Sequence, residues 1–145
     1  MRGGVAMKDL NFVYMDYVNV NLKLKNRRTV LNGDSATGKS YLYNIIEQYA
    51  MEEKRKDIVC IDIDNFDADK PENSIDKIKK VKNGIVAIDQ ADDILINTKI
   101  REYVMSDTDN YYIIMGRRYY KKYSELAKTK ITKDRIEIKY RLNTI

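Results

Sequence analysis

The sequence contains no histidine and no tryptophan, and it has a single cysteine and a single proline. Without histidine, the chain has no Ser-His-Asp or Cys-His triad, no histidine-ligated zinc and no imidazole acid or base. Cys60 alone forms neither an internal disulfide framework nor a cysteine-rich metal site, and its position among Ile and Val residues predicts a buried apolar role. Any chemistry must come from carboxylates, lysines, arginines, hydroxyls and backbone amides.

Long uncharged hydrophobic runs are also missing. No stretch approaches the roughly 20 apolar residues that span a bilayer, and the first residues lead into no apolar segment of the secretory type. We therefore expect a cytoplasmic location and no membrane association. The length of 145 residues, 43% of them hydrophobic, predicts one packed domain covering residues 1–145.

Charge is distributed unevenly along the chain, whose net charge is +5. Residues 1–56 carry a net charge of +4, residues 57–109 a net charge of −6, and residues 110–145 a net charge of +7. The basic C-terminal quarter favours a polyanionic or acidic partner, although an unevenly charged solvated surface has the same composition.

Hydrophobic patterns predict strands that alternate with helices. The strands fall near residues 17–25, 29–32, 57–64, 85–89, 111–115 and 135–142, and the helices near 39–53, 73–83, 92–105 and 119–128. Several strands are almost continuously apolar, which is typical of parallel strands covered on both faces. We therefore predict an α/β fold, a three-layer sandwich with a mostly parallel central sheet.

One motif connects a predicted strand to a predicted helix and fits the pattern G-x-x-x-x-G-K-[ST] without a departure. Its glycines allow the backbone amides to curl around phosphate groups, and the following helix directs its N-terminus at the same anion. The predicted nucleotide-binding residues are Gly33, Asp34, Ser35, Ala36, Thr37, Gly38, Lys39, Ser40 and the neighbouring Tyr41.

With these residues standing as a Walker A motif, the chain resembles the P-loop NTPase superfamily. The resemblance implies that Lys39 contacts the β- and γ-phosphates of ATP or another NTP and that the Ser40 hydroxyl binds Mg²⁺. It also implies a Walker B strand, an apolar run closed by an aspartate, and residues 85–89 fit that description. Asp89 is thus the second predicted magnesium ligand.

The sequence departs from the family pattern after Asp89. ATPases with an additional sheet strand commonly have a catalytic glutamate there, whereas this chain has Gln90, which can orient a water but cannot take its proton. Asp92 or Asp93 could substitute for it, or could simply compensate the dipole of the next helix. The resemblance therefore implies secure nucleotide binding and slow hydrolysis, or hydrolysis that waits for a partner.

A sensor residue commonly follows the fourth core strand in the family. Arg117 and Arg118 occupy that position here, where either could contact a γ-phosphate in its own chain or in a neighbouring subunit. Many family members also carry a helical lid after the sheet, whereas the predicted elements here end in a strand. The resemblance therefore implies a compact, lidless domain that works with a protein partner or as a homo-oligomer.

Three weaker patterns surround this motif. Arg117, Arg118, Lys121 and Lys122 alternate with tyrosines, which is compatible with nucleic-acid binding or with a half-buried basic helix. The acidic run at residues 62–69 could hold a second cation or an acceptor substrate, or could be a solvated loop. Tyr41 and Tyr43 could flank a nucleotide, although we expect one of them to pack on the sheet and the other to lie at the surface.

Three functions follow from these patterns. The first is a Mg-ATP-binding ATPase, with Lys39, Asp89, Gln90 and Arg117 as its predicted catalytic residues. The second is a non-hydrolysing regulatory or binding module that acts on a protein or a nucleic acid. The third is a small phosphotransferase whose acceptor binds at Asp62 and Asp64.

Overall fold

The computed structural model describes residues 8–16, 18–32, 39–116, 125–133 and 136–144. Eight strands and four helices lie in this part of the chain. The strands are β1 (Lys8–Tyr14), β2 (Val18–Leu24), β3 (Arg28–Asn32), β4 (Ile58–Ile61), β5 (Ile85–Ile88), β6 (Tyr111–Gly116), β7 (Glu125–Lys133) and β8 (Ile136–Thr144). The helices are α1 (Lys39–Glu52), α2 (Glu72–Lys79), α3 (Ala91–Ile94) and α4 (Thr98–Ser106).

All eight strands belong to one sheet, in the order β1-β2-β7-β8-β3-β6-β5-β4. Strands β3, β6, β5 and β4 are parallel to one another, and helices connect them, as the α/β prediction requires. Strands β1, β2, β7 and β8 are joined by antiparallel pairings, and β8 also pairs antiparallel with β3. The described sheet is therefore mixed, with an antiparallel half beside the parallel one, rather than mostly parallel.

The parallel strands are apolar on both faces because both faces are covered. Every residue of β5 and of β6 is buried. One hydrophobic cluster joins α1 to one face of the sheet and contains Leu42, Ile46, Ala87 and Ile113. A second cluster joins α2, α3 and α4 to the opposite face. Continuous apolar strands in the sequence were thus the correct signal for burial on two sides.

The antiparallel half is built differently. In β2, Val18, Val20, Leu22 and Leu24 are buried, and the residues between them are exposed. The buried side belongs to the same cluster as α1, and Phe12 of β1 stacks on Tyr49 of α1 with ring centroids 4.0 Å apart. Helix α1 therefore packs against both halves of the sheet and fixes the antiparallel strands to the parallel ones.

Two helix predictions need correction. The helix expected at residues 92–105 is divided into α3 and α4, because the Asn97 side chain accepts hydrogen bonds from the backbone amides of Lys99 and Ile100 and caps a new helix there. The basic helix expected at 119–128 is contradicted at 125–128, which belong to strand β7; residues 119–124 lie outside the described residues. Strand β1 was not predicted.

A buried polar network anchors the start of β6 to the end of α4. The Asp107 carboxylate accepts hydrogen bonds from the Tyr112 hydroxyl at 2.6 Å and from the Asn110 amide at 3.1 Å. Arg28 donates to the backbone carbonyls of Asp107 and Val104. Burial alone would raise the pKa of Asp107, but the hydrogen bonds from Tyr112, the Asp109 backbone and Asn110 outweigh it, so that this pKa lies below its ordinary value.

We predict that Asp107→Asn lowers the free energy of unfolding by about 1–3 kcal/mol at pH 7, because the carboxylate accepts from Tyr112 and Asn110 at Oδ2 and from the Asp109 amide at Oδ1, and an amide has an acceptor oxygen at only one of these two positions. The lowered pKa makes the carboxylate stabilising above the pKa of the unfolded chain, and this stability is lost as pH falls through the folded value. Urea unfolding at a series of pH values should therefore show the difference between variant and wild type shrinking below about pH 4. The exposed Asp76→Asn is the matched control, and a difference independent of pH would contradict the prediction.

Candidate functional site

The carboxyl ends of three parallel strands bring the predicted phosphate and metal residues to one edge of the sheet. In the register of β3 and β6, Asn32 lies opposite Gly116, and the glycine-rich segment begins one residue after Asn32. Strand β6 pairs with β5 on its other side, and Asp89 follows the last residue of β5. Ligands of parallel sheets bind at this edge, in the crevice outside the strand ends.

Asp89 is held rigidly at this edge. Its side chain is buried, with 8% of the residue exposed, and its backbone amide donates to the Ile61 carbonyl at 2.9 Å, which continues the parallel ladder beyond β5. The Ser40 hydroxyl, in the first turn of α1, donates to Oδ2 of Asp89 at 3.3 Å. The fold therefore brings together the two predicted magnesium ligands, which are 49 residues apart in the sequence.

A hydroxyl and a carboxylate fit Mg²⁺ as a donor set. This ion is usually held by one or two protein oxygens, with waters and substrate phosphates completing its octahedral shell. Within the described residues, no group of three or more Cys, Asp or Glu side chains is placed to hold a metal ion.

Part of the predicted site lies outside the described residues. This applies to Gly33, Asp34, Ser35, Ala36, Thr37 and Gly38, to the Lys39 side chain, and to Arg117, Arg118, Lys121 and Lys122. Lys39 is the first residue of α1, and β3 ends at Asn32. Residues 33–38 therefore connect this strand to this helix. The described backbone on its two sides is the strand and the helix that the motif predicts.

Gln90, the predicted water-orienting residue, has a strained backbone. Its φ of 51° and ψ of 47° are left-handed, which is uncommon for a residue that is not glycine, and its side chain is exposed. Such conformations persist only where the surrounding structure enforces them, and they concentrate at functional sites. This left-handed conformation changes the direction of the chain directly after Asp89, and α3 begins at the next residue.

The side chains of Asp92 and Asp93, which follow this turn, lie in different environments. Asp92 is half-buried and lies against Gly116 at the end of β6, whereas Asp93 is exposed. The sequence named both as candidates and could not distinguish them. The glycine at the end of β6 was the available signal, because a residue without a side chain at a strand end often marks a close approach by another group.

The two tyrosines after the motif take different places. Tyr43 is 1% exposed and belongs to the hydrophobic cluster between α1 and the sheet, so it lies out of reach of a nucleotide. Tyr41 is half-buried and packs at the margin of the same cluster, not fully at the surface. Tyr41 therefore remains the candidate for contact with a ligand at this edge.

The acidic run after β4 forms turns. Oδ1 of Asp62 accepts hydrogen bonds from the backbone amides of Asp64 and Asn65, both at 2.9 Å. Oδ1 of Asp67 accepts one from the amide of Asp69 at 2.9 Å. Short acidic side chains are common in turns for this reason, and the spacing that suggested a cation site is explained by local hydrogen bonding.

Cys60 is not a nucleophile at neutral pH. Burial, reinforced by the nearby carboxylates of Glu47 and Asp62, raises the pKa of its thiol to about 12. The reactive form of cysteine is the thiolate, so the raised pKa makes Cys60 a weak nucleophile. It packs against the α1 cluster from the edge strand β4, where it is partly buried rather than fully buried as predicted.

We predict that Tyr43→Phe leaves the free energy of unfolding unchanged or raises it by up to about 1 kcal/mol. Burial and the nearby Asp62 carboxylate raise the pKa of its hydroxyl, but within the described part of the chain no acceptor lies in hydrogen-bonding geometry with it, so its removal takes away a desolvated group and at most a weak contact. Tyr112→Phe is the matched variant, because its hydroxyl bonds to Asp107; we expect it to lose about 1–2 kcal/mol. Urea unfolding of the two variants measures both, and equal losses would contradict the prediction.

Comparisons with protein-family models, curated proteins and solved structures found no match to this chain. Among the helices that the structure describes, none combines the length and the apolar character needed to cross a bilayer. Function must therefore be argued from the edge of the sheet where Ser40 and Asp89 meet.

Proposed function

We propose that this chain is a compact P-loop NTPase that binds Mg-ATP, or another Mg-NTP, at residues 33–40. One observation carries the proposal: the Ser40 hydroxyl lies 3.3 Å from the Asp89 carboxylate. The two residues come from separate motifs, each recognised from its own sequence pattern. A serine after a glycine-rich loop and an aspartate after an apolar strand are the two protein ligands that such a site provides for magnesium.

The order of the strands supports the same proposal. Strand β6 lies between β3, which leads into the glycine-rich segment, and β5, which leads to Asp89. This is an additional strand between the two motif strands, as in the ATPases that the sequence resembles. Helix α1 packs on one face of the sheet and α2, α3 and α4 on the other, which supports the three-layer arrangement that the resemblance implies.

Each residue of the proposed site has a distinct task. The backbone amides of residues 33–38 and the N-terminus of α1 would bind the phosphates, and Lys39 would contact the β- and γ-phosphates. Ser40 and Asp89 would hold Mg²⁺, which neutralises the charge of the phosphate oxygens when it is bound. Arg117 would stabilise charge on the transferred phosphoryl group.

Slow or partner-dependent hydrolysis follows from Gln90. An amide orients a water by hydrogen bonding but accepts no proton from it. Gln90 directly follows the proposed metal ligand Asp89, and its side chain is exposed. It has no carboxylate that could accept a proton.

The same residue favours a second candidate function. A chain that binds Mg-NTP and lacks the usual carboxylate next to Asp89 could serve as a nucleotide-gated module that regulates a protein or a nucleic acid. The two functions share the binding site and differ in whether phosphate is released.

We predict that Lys39→Ala weakens Mg-ATP binding at least 30-fold, because the variant loses a charge-assisted contact worth about 2 kcal/mol. A nucleotide panel with Mg²⁺, measured by calorimetry with phosphate release recorded in parallel, tests this. Circular dichroism and the melting temperature report whether the fold survives. Lys77→Ala, at an exposed position of α2, is the control and should bind like the wild type.

The same panel separates the two candidate functions. Phosphate release that is lost in Lys39→Ala supports the NTPase, and binding without release supports the regulatory module. Unchanged nucleotide affinity in Lys39→Ala would contradict both.

A further inference from the structure

The antiparallel half of the sheet has two unlike faces. One face packs against α1 through residues such as Leu22 of β2 and Phe12 of β1. The alternate residues of these two strands lie on the other face, and all of them are exposed: Asp9, Asn11 and Val13 in β1, and Asn19, Asn21 and Lys23 in β2. Helices α2, α3 and α4 pack on that side of the sheet, but the sheet residues in their hydrophobic cluster come from β3, β4, β5 and β6. Among the side chains that the structure describes, those of β1 and β2 on this face are therefore open to solvent.

The pairing register extends this face across β7 and β8. Asn21 pairs with Lys130, and Lys130 pairs in turn with Lys139. Two residues further along each strand, Lys128 pairs with Arg141. Residues that pair in register lie on the same face of a sheet, and so do alternate residues of one strand. The face opposite α1 thus carries four basic residues at adjacent register positions, Lys128, Lys130, Lys139 and Arg141, which we call the basic block.

Negative charge is kept out of the basic block. The same face contains three acidic residues, and each of them pairs with a residue outside the block: Asp9 with Lys23, Glu125 with Asn143, and Glu137 with Thr132. The alternate residues of β8, on the α1 face, are mainly apolar, as in Ile136, Ile138 and Leu142. The strands therefore separate basic residues from apolar ones between the two faces of the sheet.

The basic block contains two cross-strand pairs of like charge. Lys130 lies directly opposite Lys139, and Lys128 lies directly opposite Arg141. Residues at such positions have Cβ atoms about 4.5–5.5 Å apart, and like charges there destabilise a sheet. A polyanion bound to this face would attract both members of each pair and offset their repulsion. The register thus gives this half of the sheet a cost in the free chain that an anionic partner would remove.

The residues of this face suit a phosphate backbone more than they suit nucleic-acid bases. The basic residues are spaced by about 6.8 Å along each strand and about 4.8 Å between strands, which forms a flat array of charges. The exposed Asn19 and Asn21 lie on the same face, and amide groups donate hydrogen bonds to phosphate oxygens. No aromatic residue occupies a register position on this face of the described strands, so it offers no platform for base stacking.

We infer that this face of β1, β2, β7 and β8, centred on the basic block, binds the phosphate backbone of a nucleic-acid duplex without reading its sequence. A duplex displays its phosphates outward and requires cations and hydrogen-bond donors for binding, but no contact with the bases. The inference does not rest on the proposed nucleotide site, because Ser40 belongs to α1, which packs on the other face of the sheet.

The first test measures binding of a fluorescently labelled DNA duplex by anisotropy between about 50 and 200 mM salt. Four phosphate contacts predict a slope of log K against log salt of about −3.6, and Lys130→Gln/Lys139→Gln should reduce its magnitude by about 1.8. Lys77→Gln/Lys80→Gln removes the same charge at exposed positions of α2 and its C-cap, and its slope should equal that of the wild type. Absence of wild-type binding at 50 mM salt, or equal changes in the two double variants, overturns the inference.

The second test separates binding from folding. Lys139→Glu places an acidic residue opposite Lys130 and replaces repulsion with attraction. We expect its melting temperature to equal or exceed that of the wild type, while its affinity for the duplex falls at least tenfold and below that of Lys139→Gln. Retained affinity in Lys139→Glu, or a melting temperature below that of the wild type, is incompatible with the inference.

Competition experiments identify the class of polyanion. Unlabelled duplex should displace the labelled one at lower concentration than a single strand with the same number of phosphates, and at lower concentration than poly-glutamate of the same charge. Poly-glutamate that competes as well as the duplex would identify an acidic protein as the partner, and an equally effective single strand would contradict the choice of a duplex. The assays contain no nucleotide, so their outcome is separate from the success or failure of the proposed function.

Discussion

The parallel pairing of β6 with β3 on one side and with β5 on the other is the constraint on which the site depends. Strands that run in the same direction end at the same edge, so whatever follows them in the sequence is brought together without any attraction between the groups themselves. Because of this pairing, Ser40 and Asp89 reach hydrogen-bonding distance across 49 residues. The pairing is in turn stabilised by two hydrophobic clusters, one on each face, and the buried Asp107 network fixes the start of β6.

Features of the sequence that act locally were predictable. The apolar runs of β4, β5 and β6, the alternation of β2 and the start of α1 all follow from which side chains must be buried within a few residues. The α/β class followed from those elements, whereas the meeting of Ser40 with Asp89 was implied by the resemblance to P-loop NTPases. Less was predictable where a distant partner decides the structure. Strand β1 acquires its place by pairing with β2 and by the stacking of Phe12 on Tyr49, and residues 125–128 are a strand because they pair with β8.

At the site, the sequence identified residue types and could not supply their positions. Asp92 and Asp93 are chemically identical and adjacent, and only the left-handed turn at Gln90 and the burial of α3 place one at the strand end and the other in solvent. The acidic run after β4 illustrates the reverse case. Its spacing suggested a cation site, but its side chains satisfy the backbone amides of their own turn. The carboxylates after β4 thus serve local structure, whereas Asp89 after β5 is buried beside the Ser40 hydroxyl.

The uneven distribution of charge along the chain can be related to the strand ends at the proposed nucleotide site. The segment that supplies Asp89 and Asp92 has a net charge of −6, so by itself it would repel a nucleoside triphosphate. The segments before and after it carry net charges of +4 and +7 and include Lys39 and Arg117. Since Asn32 and Gly116 are paired in register, the chain leaves β3 and β6 toward the cationic residues from adjacent strand ends. In the proposed nucleotide site, parallel pairing therefore brings the strand ends that precede Lys39 and Arg117 next to the strand end that precedes Asp89.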